Sequence, residues 1–486
     1  MTCRIAARMV ALRLHRSIDC QGRRLALPPP AELCHTALAM LRADTPTIRP
    51  VPVSHRTVLA IAAPMTLAHL STPLLGIADT TVIGQFGDAA LIGAVALASV
   101  LFDFLFWGFG FLRMGTAGFT AQALGADDQG EQRAVFLRAL ALALLLGLAL
   151  VALQLPIAAV AFPLLGGSPA VTGAAQTYFQ IRIWSAPFAF ANYAVLGWLI
   201  GMGRTGIGLF LQIGINLANI ALCLLLAMGL GWGVAGTAWA TTLAEIAGTA
   251  AGLAIIAAHF GGRLGVPAAL VFDTARLLRM VAVNRDIMIR TLALLTAWSF
   301  FARQGALAGD VTLAANAILN NFFLVGGYFL DGIATAAEQL CGRAIGANNR
   351  PAFAKAVRLS VGWSLVLAGA MSLLLFTAGG LFIDGMARSA EVQTAARQFL
   401  PYAALTPLAG SLAFTFDGVY VGATWNGAMR NLMLAALAMY FVLWWLLTPF
   451  GNHGLWFAVL GFLLARGLTQ GLAYGRLERA TFAGDA

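Results

Sequence analysis

Four acidic residues stand inside long apolar stretches of this 486-residue chain: Asp79, Asp331, Glu338 and Asp417. An ionisable side chain within a membrane-spanning segment costs about 2.5 kcal/mol or more to insert, so each one needs a chemical reason to be there. A carboxyl group that loses its hydration holds its proton more firmly, which lets it exchange protons near neutral pH. These four acids are therefore the candidates for proton or cation chemistry.

Asp79 stands beside Thr80 and Thr81 near the end of the first apolar stretch, which Pro64 and Pro73 interrupt. Each proline removes a backbone hydrogen bond, so a helix that contains both can bend with little further loss. An acid combined with a bend predicts a proton-driven hinge. The alternative is a partly hydrated acid at a helix end with no role in coupling.

Asp331 and Glu338 are seven residues apart, which places them on one face of a helix about 10 Å from each other. Two acids on one face predict a polar cavity for cationic substrates. The alternative is that they pair with arginines of the same half of the chain, for which Arg303, Arg343 and Arg466 are the candidates.

Asp417 has Phe414 three residues before it and Tyr420 three residues after it. These spacings put an acid between two aromatic rings on one helix face, an arrangement that favours lipophilic cations through cation–π contact. We therefore predict that Asp417, Phe414 and Tyr420 form part of a substrate wall, with the same arginine pairing as the alternative.

The elements that position these residues must be membrane helices, because 60% of the chain is hydrophobic, only 10% is charged, and the mean hydropathy is +0.83. Soluble domains are about half apolar and a quarter charged. The net charge of +10 is predicted to hold loops in the cytoplasm and not to bind nucleic acid. The five cysteines form no CxxC motif and are read as free thiols, and no cofactor is predicted.

Residues 1–56 differ in composition, with nine arginines and the run Pro28–Pro30, and hold no apolar core for a signal peptide. We predict a basic, disordered cytoplasmic arm or an over-extended gene start. A transit peptide and a membrane-surface helix near Arg4–Arg16 are the alternatives.

Twelve apolar segments follow the arm, each long enough to span a bilayer. Their predicted limits are 57–84, 89–124, 131–163, 171–201, 205–229, 233–260, 271–304, 310–346, 351–382, 392–421, 428–449 and 454–477. The predicted units are an N-lobe over 57–260, a cytoplasmic linker over 261–290 that overlaps the start of helix 7, a C-lobe over 271–477 and a tail over 478–486.

The basic residues of the loops lie almost entirely in alternate loops, whereas the opposite loops carry Arg388 alone. This asymmetry predicts that both termini are cytoplasmic, in the inner membrane. The segment Ala123–Ala126 recurs as Ala344–Ala347, and three glycines repeat at the same offset. Six spans per half give both halves one orientation, so we predict an all-α polytopic fold of two six-helix lobes related by a pseudo-two-fold axis along the membrane normal.

Four regions in order resemble the DinF-type branch of the multidrug and toxic compound extrusion (MATE) family, and the resemblance covers residues 57–477. They are Pro73–Gly84, Phe111–Thr116 with Ala121–Ala126, Tyr328–Gly332 with Ala337-Glu338, and Phe416–Thr424 with Met429-Arg-Asn431. The resemblance implies a monomeric antiporter that exports organic cations and other toxic amphiphiles in exchange for protons or sodium ions by alternating access.

The resemblance also assigns roles to single residues. Asp79 corresponds to the cation-coupling acid and Pro64 to the kink proline, while Asn192 and Asn219 correspond to amides that complete a polar pocket with that acid. Many relatives carry a second acid four residues after the fifth-helix amide, where this chain has Cys223. Sodium prefers several oxygen ligands, so this departure favours protons, although a sodium site at Asp79 stays open. Simple hydrogen bonding between helices is the alternative for both amides.

Two other functions compete with cation export. A flippase for lipid-linked precursors of similar architecture would need a cationic cavity, for which Arg113, Arg182 and Arg303 are available. A membrane enzyme is disfavoured because HExxH, DxxxD and GxSxG motifs are lacking. The remaining charges within spans, Asp103, Arg113, Arg182 and Glu245, are predicted to form structural pairs.

Overall fold

The computed structural model describes residues 49–84, 89–166 and 168–483, with the side chains of residues 72–90 and 92 left out. The α-helices of the described residues are α1 His55–Gly84, α2 Ala89–Trp107, α3 Phe111–Gly125, α4 Gln129–Ala152, α5 Gln154–Leu165, α6 Pro169–Arg182, α7 Ala186–Gly201, α8 Thr205–Cys223, α9 Gly233–His259, α10 Ala268–Val271, α11 Thr274–Leu307, α12 Asp310–Gly346, α13 Arg350–Met386, α14 Ala390–Gly422, α15 Asn426–Leu447 and α16 Gly451–Thr481.

Nine helical stretches of the described residues are long and apolar enough to cross a membrane. The last of them, Asn426–Thr481, contains two spans, α15 and α16, which meet at Gly451 with a φ of 55°. Together with α1 and α11, these stretches account for the twelve predicted spans.

Three predicted spans are not single helices. The second is divided into α2 and α3 by turns through Gly108–Gly110, and the third is divided into α4 and α5 at Leu153. The fourth consists of α6 and α7 joined by the 3₁₀ turn Ile183–Ser185. The combined stretches Gly93–Gly125 and Pro169–Gly201 are nevertheless long and apolar enough to cross a membrane.

The outer limits of the spans also differ from the prediction. Helix α1 begins at His55, inside the predicted arm, because the Ser54 hydroxyl accepts a hydrogen bond from the Thr57 amide at 3.2 Å. Helix α16 continues to Thr481, past the predicted end at 477. Its last turns are held by contacts from Arg350 to Glu478 at 3.1 Å and from Trp425 to Thr481 at 3.0 Å. Residues 1–48 lie outside the described part of the chain, so the predicted disorder of the arm stays a prediction.

The glycine repeat marks equivalent helix contacts in the two halves. A Cβ atom at Gly197 would overlap the carbonyl oxygen of Arg113, and one at Gly418 would overlap that of Ala334. Helix α7 therefore packs on α3 as α14 packs on α12. Small residues permit such approach of membrane helices.

The two halves also meet reciprocally at one end of the bundle. A Cβ at Gly125 of α3 would overlap the Arg343 carbonyl oxygen, and one at Gly346 of α12 would overlap the Gln122 carbonyl oxygen. The Gln122 amide also donates a 2.9 Å hydrogen bond to the Gly422 carbonyl. The helices that follow, α4 and α13, carry several basic residues near their starts, so we call this end of the bundle the basic end.

Candidate transport site

The predicted substrate residue Asp331 lies at the interface between the lobes. Its Oδ2 atom is 2.9 Å from Nε2 of His69 on α1, and 35% of the Asp331 side chain and 20% of the His69 side chain are exposed. The His69 ring stacks on Tyr328 of α12 with the ring centroids 6.4 Å apart. Asp331 therefore faces the opposite lobe.

Glu338 follows Asp331 towards the basic end and is buried, with 3% of its surface exposed. Its Oε1 atom has no hydrogen-bond partner among the described residues. Arg113 of α3 interacts electrostatically with both acids. Of the ion pairs that the structure describes, none joins either acid to Arg303 or Arg343. The two acids thus form a line along the lobe interface.

Asp417 is buried inside the C-lobe and its carboxylate is fully engaged. Oδ2 accepts hydrogen bonds from Arg290 of α11 and, at 2.7 Å, from Arg466 of α16, while Oδ1 accepts one from Gln470 at 2.8 Å. Pairing with Arg466 is the alternative that the sequence left open, and Arg290 was not foreseen. A substrate role for Asp417 stays a prediction, and this conformation offers no free carboxylate there.

The two aromatic residues beside Asp417 do not share a wall in this conformation. Tyr420 is fully buried, and its hydroxyl donates to the Gln470 carbonyl at 2.8 Å. Phe414 is half-buried and its ring lies 6.4 Å from that of Phe323. The predicted cation wall is therefore incomplete, because Tyr420 points into the C-lobe core.

In the N-lobe, Asn192 is bound to an acid that the sequence interpretation had placed among structural residues. Its Nδ2 atom donates to Glu245 Oε2 of α9 at 2.5 Å, and Thr249 donates to the Asn192 Oδ1 atom at 3.2 Å. Glu245 is therefore a second N-lobe acid, beside Asp79, to consider for the predicted pocket. The sequence feature that could have indicated a role for Glu245 is its position within an apolar helix, one turn before Thr249.

Asn219 contacts the same helix, α9, one turn before Glu245. Its Nδ2 atom donates to Thr241 at 2.8 Å, and Thr241 precedes Glu245 by four residues on α9. The structure therefore brings the partners of both predicted amides onto one face of α9. Asn216, which the sequence analysis did not select, donates to the Ser71 hydroxyl of α1 at 3.0 Å.

Asp79 and the two predicted hinge prolines all belong to α1. The side chains of Asp79 and Pro73 lie outside the described residues, so their contacts with the amides stay predicted. Pro64 is half-buried and lies on α1 between the buried residues Ile61 and Met65. Arg182, another predicted structural charge, donates to Tyr178 at 2.9 Å and lies over the Phe102 ring at 4.6 Å.

Removing the charge of Asp417 is expected to destabilise the protein. Asp417→Asn would leave Arg290 and Arg466 buried without a full counter-charge, a loss of roughly 3 kcal/mol. Thermal unfolding in detergent measures the change. The control is Asp384→Asn, which removes an exposed pair with Arg397 worth at most about 1 kcal/mol. Unchanged stability of Asp417→Asn with selective loss of cation transport would instead support the substrate wall.

Comparison with known proteins identifies the family to which this chain is similar. The MatE family model matches residues 64–225 and 291–449, once in each half of the chain. The chain is 34% identical to DNA damage-inducible protein F of Escherichia coli over 425 residues, which cover 87% of this chain and 92% of that protein.

Solved structures share the fold. A structure described as the outward-facing conformation of a multidrug resistance MATE family transporter superimposes with a TM-score of 0.75 at 19% identity and covers 88% of this chain and 97% of that one. The Vibrio cholerae MATE transporter VcmN gives a TM-score of 0.79 at 18% identity and covers 88% and 98%. These folds have twelve helices in two lobes, and the family consists of transporters, not enzymes. The chain is a multi-pass membrane protein that belongs to the MatE family of multidrug and toxic compound efflux transporters.

Proposed function

We propose that this protein exports amphiphilic, mostly cationic compounds in exchange for protons by alternating access. The observation that carries the proposal is the line of Asp331 and Glu338 along the lobe interface, where Glu338 keeps an unpartnered buried oxygen among the described residues. Carboxylates between two lobes can attract a cationic substrate. Substrate and proton need only favour opposite conformations for their movements to be coupled.

Two of the three arginines that would favour a flippase lie against other groups. Arg182 is held by Tyr178 and Phe102, and Arg113 interacts electrostatically with Asp331 and Glu338. Two further arginines of the C-lobe, Arg290 and Arg466, neutralise Asp417. A cavity for a pyrophosphate group needs several available cations. Export of cations therefore agrees better with these contacts than does movement of an anionic lipid.

The coupling pocket is proposed to contain Asp79, Asn192 and Asn219, with Pro64 and Pro73 as the hinge of α1. Support comes from α9, where Thr241 and Glu245 hold the two amides on successive turns. Glu245 adds a second acid to this pocket. Protons remain the favoured ion, with sodium as the alternative because amide and carboxylate oxygens could also hold it.

Flux measurements in liposomes test the proposed coupling. Purified protein is reconstituted, loaded with an ethidium-type dye, and driven in turn by a proton gradient in sodium-free buffer and by a sodium gradient at equal pH. We expect uphill dye movement with the proton gradient. Movement driven by sodium alone would overturn proton coupling, and absence of vectorial dye movement under both gradients would overturn cation export.

Glu245 is expected to contribute to proton coupling through Asn192. Glu245→Gln keeps an oxygen that can accept from Asn192 but cannot ionise, so proton-driven dye efflux should fall at least about tenfold while downhill dye exchange persists. The control is Glu391→Gln, an exposed acid at the start of α14. Wild-type uphill efflux in Glu245→Gln would show that Glu245 is structural.

The proposed orientation places the basic end and both termini in the cytoplasm of an inner-membrane protein. The conformation described here is then closed towards the cytoplasm. Cysteines introduced at the exposed residues Ser168 and Gly265 test the orientation with an impermeant thiol reagent in intact cells. We expect labelling of Ser168→Cys from outside and of Gly265→Cys only after permeabilisation. The reverse pattern would overturn the orientation.

A further inference from the structure

The contact between His69 and Asp331 lies where the burial of helix α12 changes. His69 is 14 residues from the start of α1, and Asp331 is 15 residues from the end of α12. At 1.5 Å per residue, both lie about 21 Å from the basic end. They therefore meet well within both helices and not at a helix end.

Burial along α12 changes at Asp331. On the side away from the basic end, Asn321 and Val325 are exposed and Tyr328 is half-buried. Every residue from Gly332 to Leu340 is buried, and a Cβ at Gly332 would overlap the Thr66 hydroxyl of α1. The histidine and the acid thus lie where the continuous burial of this part of α12 ends, and both keep exposed surface there.

We propose that His69 binds a proton in this conformation and that the imidazolium holds the two lobes together through Asp331. The contact is an ion pair only when His69 is protonated. Histidine is the side chain whose charge changes near neutral pH. Binding of a proton at His69 and closure of the basic end are coupled equilibria. If the proton stabilises the closed conformation, the closed conformation must bind that proton more tightly than the open one.

Several neighbouring helices contribute charged or titratable groups around the His69–Asp331 pair. Arg113 of α3 and Arg290 of α11 act on Asp331, and Glu338 acts on it from one face of α12. Further groups among the described residues are Tyr328, which stacks on His69 and is influenced by Asp103 of α2, and Glu245 of α9, which is bound to Asn192. Helix α8 carries no charged residue, and α13 reaches α1 through Trp363 and His55. The charged residues of α13 lie near its ends and are Arg350, Lys355, Arg358 and Asp384.

These surroundings make His69 replaceable without loss of the fold. Arg113 and Arg290 still act on Asp331 when His69 is neutral, so His69→Gln leaves no isolated buried charge. The glutamine amide can also donate to the carboxylate. The variant therefore removes the proton while keeping a polar contact of similar reach.

The test measures conformation without substrate, although the inference extends the proposed proton coupling. Spin labels are placed at the exposed residues Gln129 and Lys355, one on each lobe at the basic end, after Cys3, Cys20 and Cys34 are replaced by serine. Distances are measured by double electron–electron resonance in nanodiscs from pH 8 to pH 5.5. Acidification should raise the ratio of closed to open populations about tenfold.

The shift should be lost in His69→Gln and in Asp331→Asn, and the double variant should equal either single one. The matched control is His453→Gln, because the described hydrogen bonds of His453 go to Gln398 and Tyr402 of its own lobe. A full pH-dependent shift in His69→Gln, or no shift in the parent protein, overturns the inference. Proton-driven dye efflux measured on the same parent sample separates this outcome from failure of the proposed function.

Discussion

Replacing Asp79 by asparagine is expected to abolish gradient-driven efflux while the protein still folds and inserts. Asparagine keeps the size and the hydrogen-bonding capacity of the side chain but cannot exchange a proton. A coupling acid that no longer titrates cannot transmit the gradient, so uphill dye movement should fall roughly a hundredfold. Downhill exchange of dye in the absence of a gradient should persist, because the lobes can still move.

The control for this variant is Asp103→Asn, which makes the same change at an exposed acid of α2 in the same lobe. It should retain most of the uphill efflux. If Asp79→Asn still concentrates dye at more than about half the parental rate, a loss far smaller than such coupling implies, the assignment is wrong. The coupling acid would then have to be sought at Glu245 or along the line of Asp331 and Glu338.

Contacts within one helix could be predicted from the sequence, whereas contacts between distant helices could not. The spacing of Asp331 and Glu338 fixed their common face, because helix geometry is the same wherever the helix lies. The pairing of Asp417 with Arg290 joins residues 127 positions apart on α14 and α11. Nothing in either local sequence specifies which helices become neighbours.

The same limit explains which contact in the N-lobe and which helix breaks in the spans were not foreseen. Asn192 and Glu245 are 53 residues apart, so their hydrogen bond depends on how α7 meets α9. The break between α2 and α3 was missed because apolar content continues through it, although Gly108 and Gly110 were a visible signal. By contrast, the glycine repeat was found at once, since two copies of one packing contact require small residues at equivalent positions.

Enlarging Gly346 is expected to prevent the lobes from closing at the basic end. A side chain there would overlap the backbone carbonyl oxygen of Gln122, which cannot move aside as a flexible side chain could. Overpacking commonly costs about 1–3 kcal/mol, which corresponds to a shift in the conformational equilibrium of roughly fivefold to somewhat more than a hundredfold. Gly346→Leu should therefore favour the conformation open at the basic end and reduce efflux by a similar factor.

The matched control is Gly362→Leu on α13, where a Cβ meets nothing within 4 Å and the surface faces outward. It makes the same change within a helix and should leave both efflux and conformation near the parental values. Spin labels at Gln129 and Lys355 report the separation of the two lobes. Because Gly125 makes the reciprocal contact with Arg343, Gly125→Leu should reproduce the effect of Gly346→Leu. Parental distances and efflux in both variants would mean that closure of this end does not depend on the paired glycines.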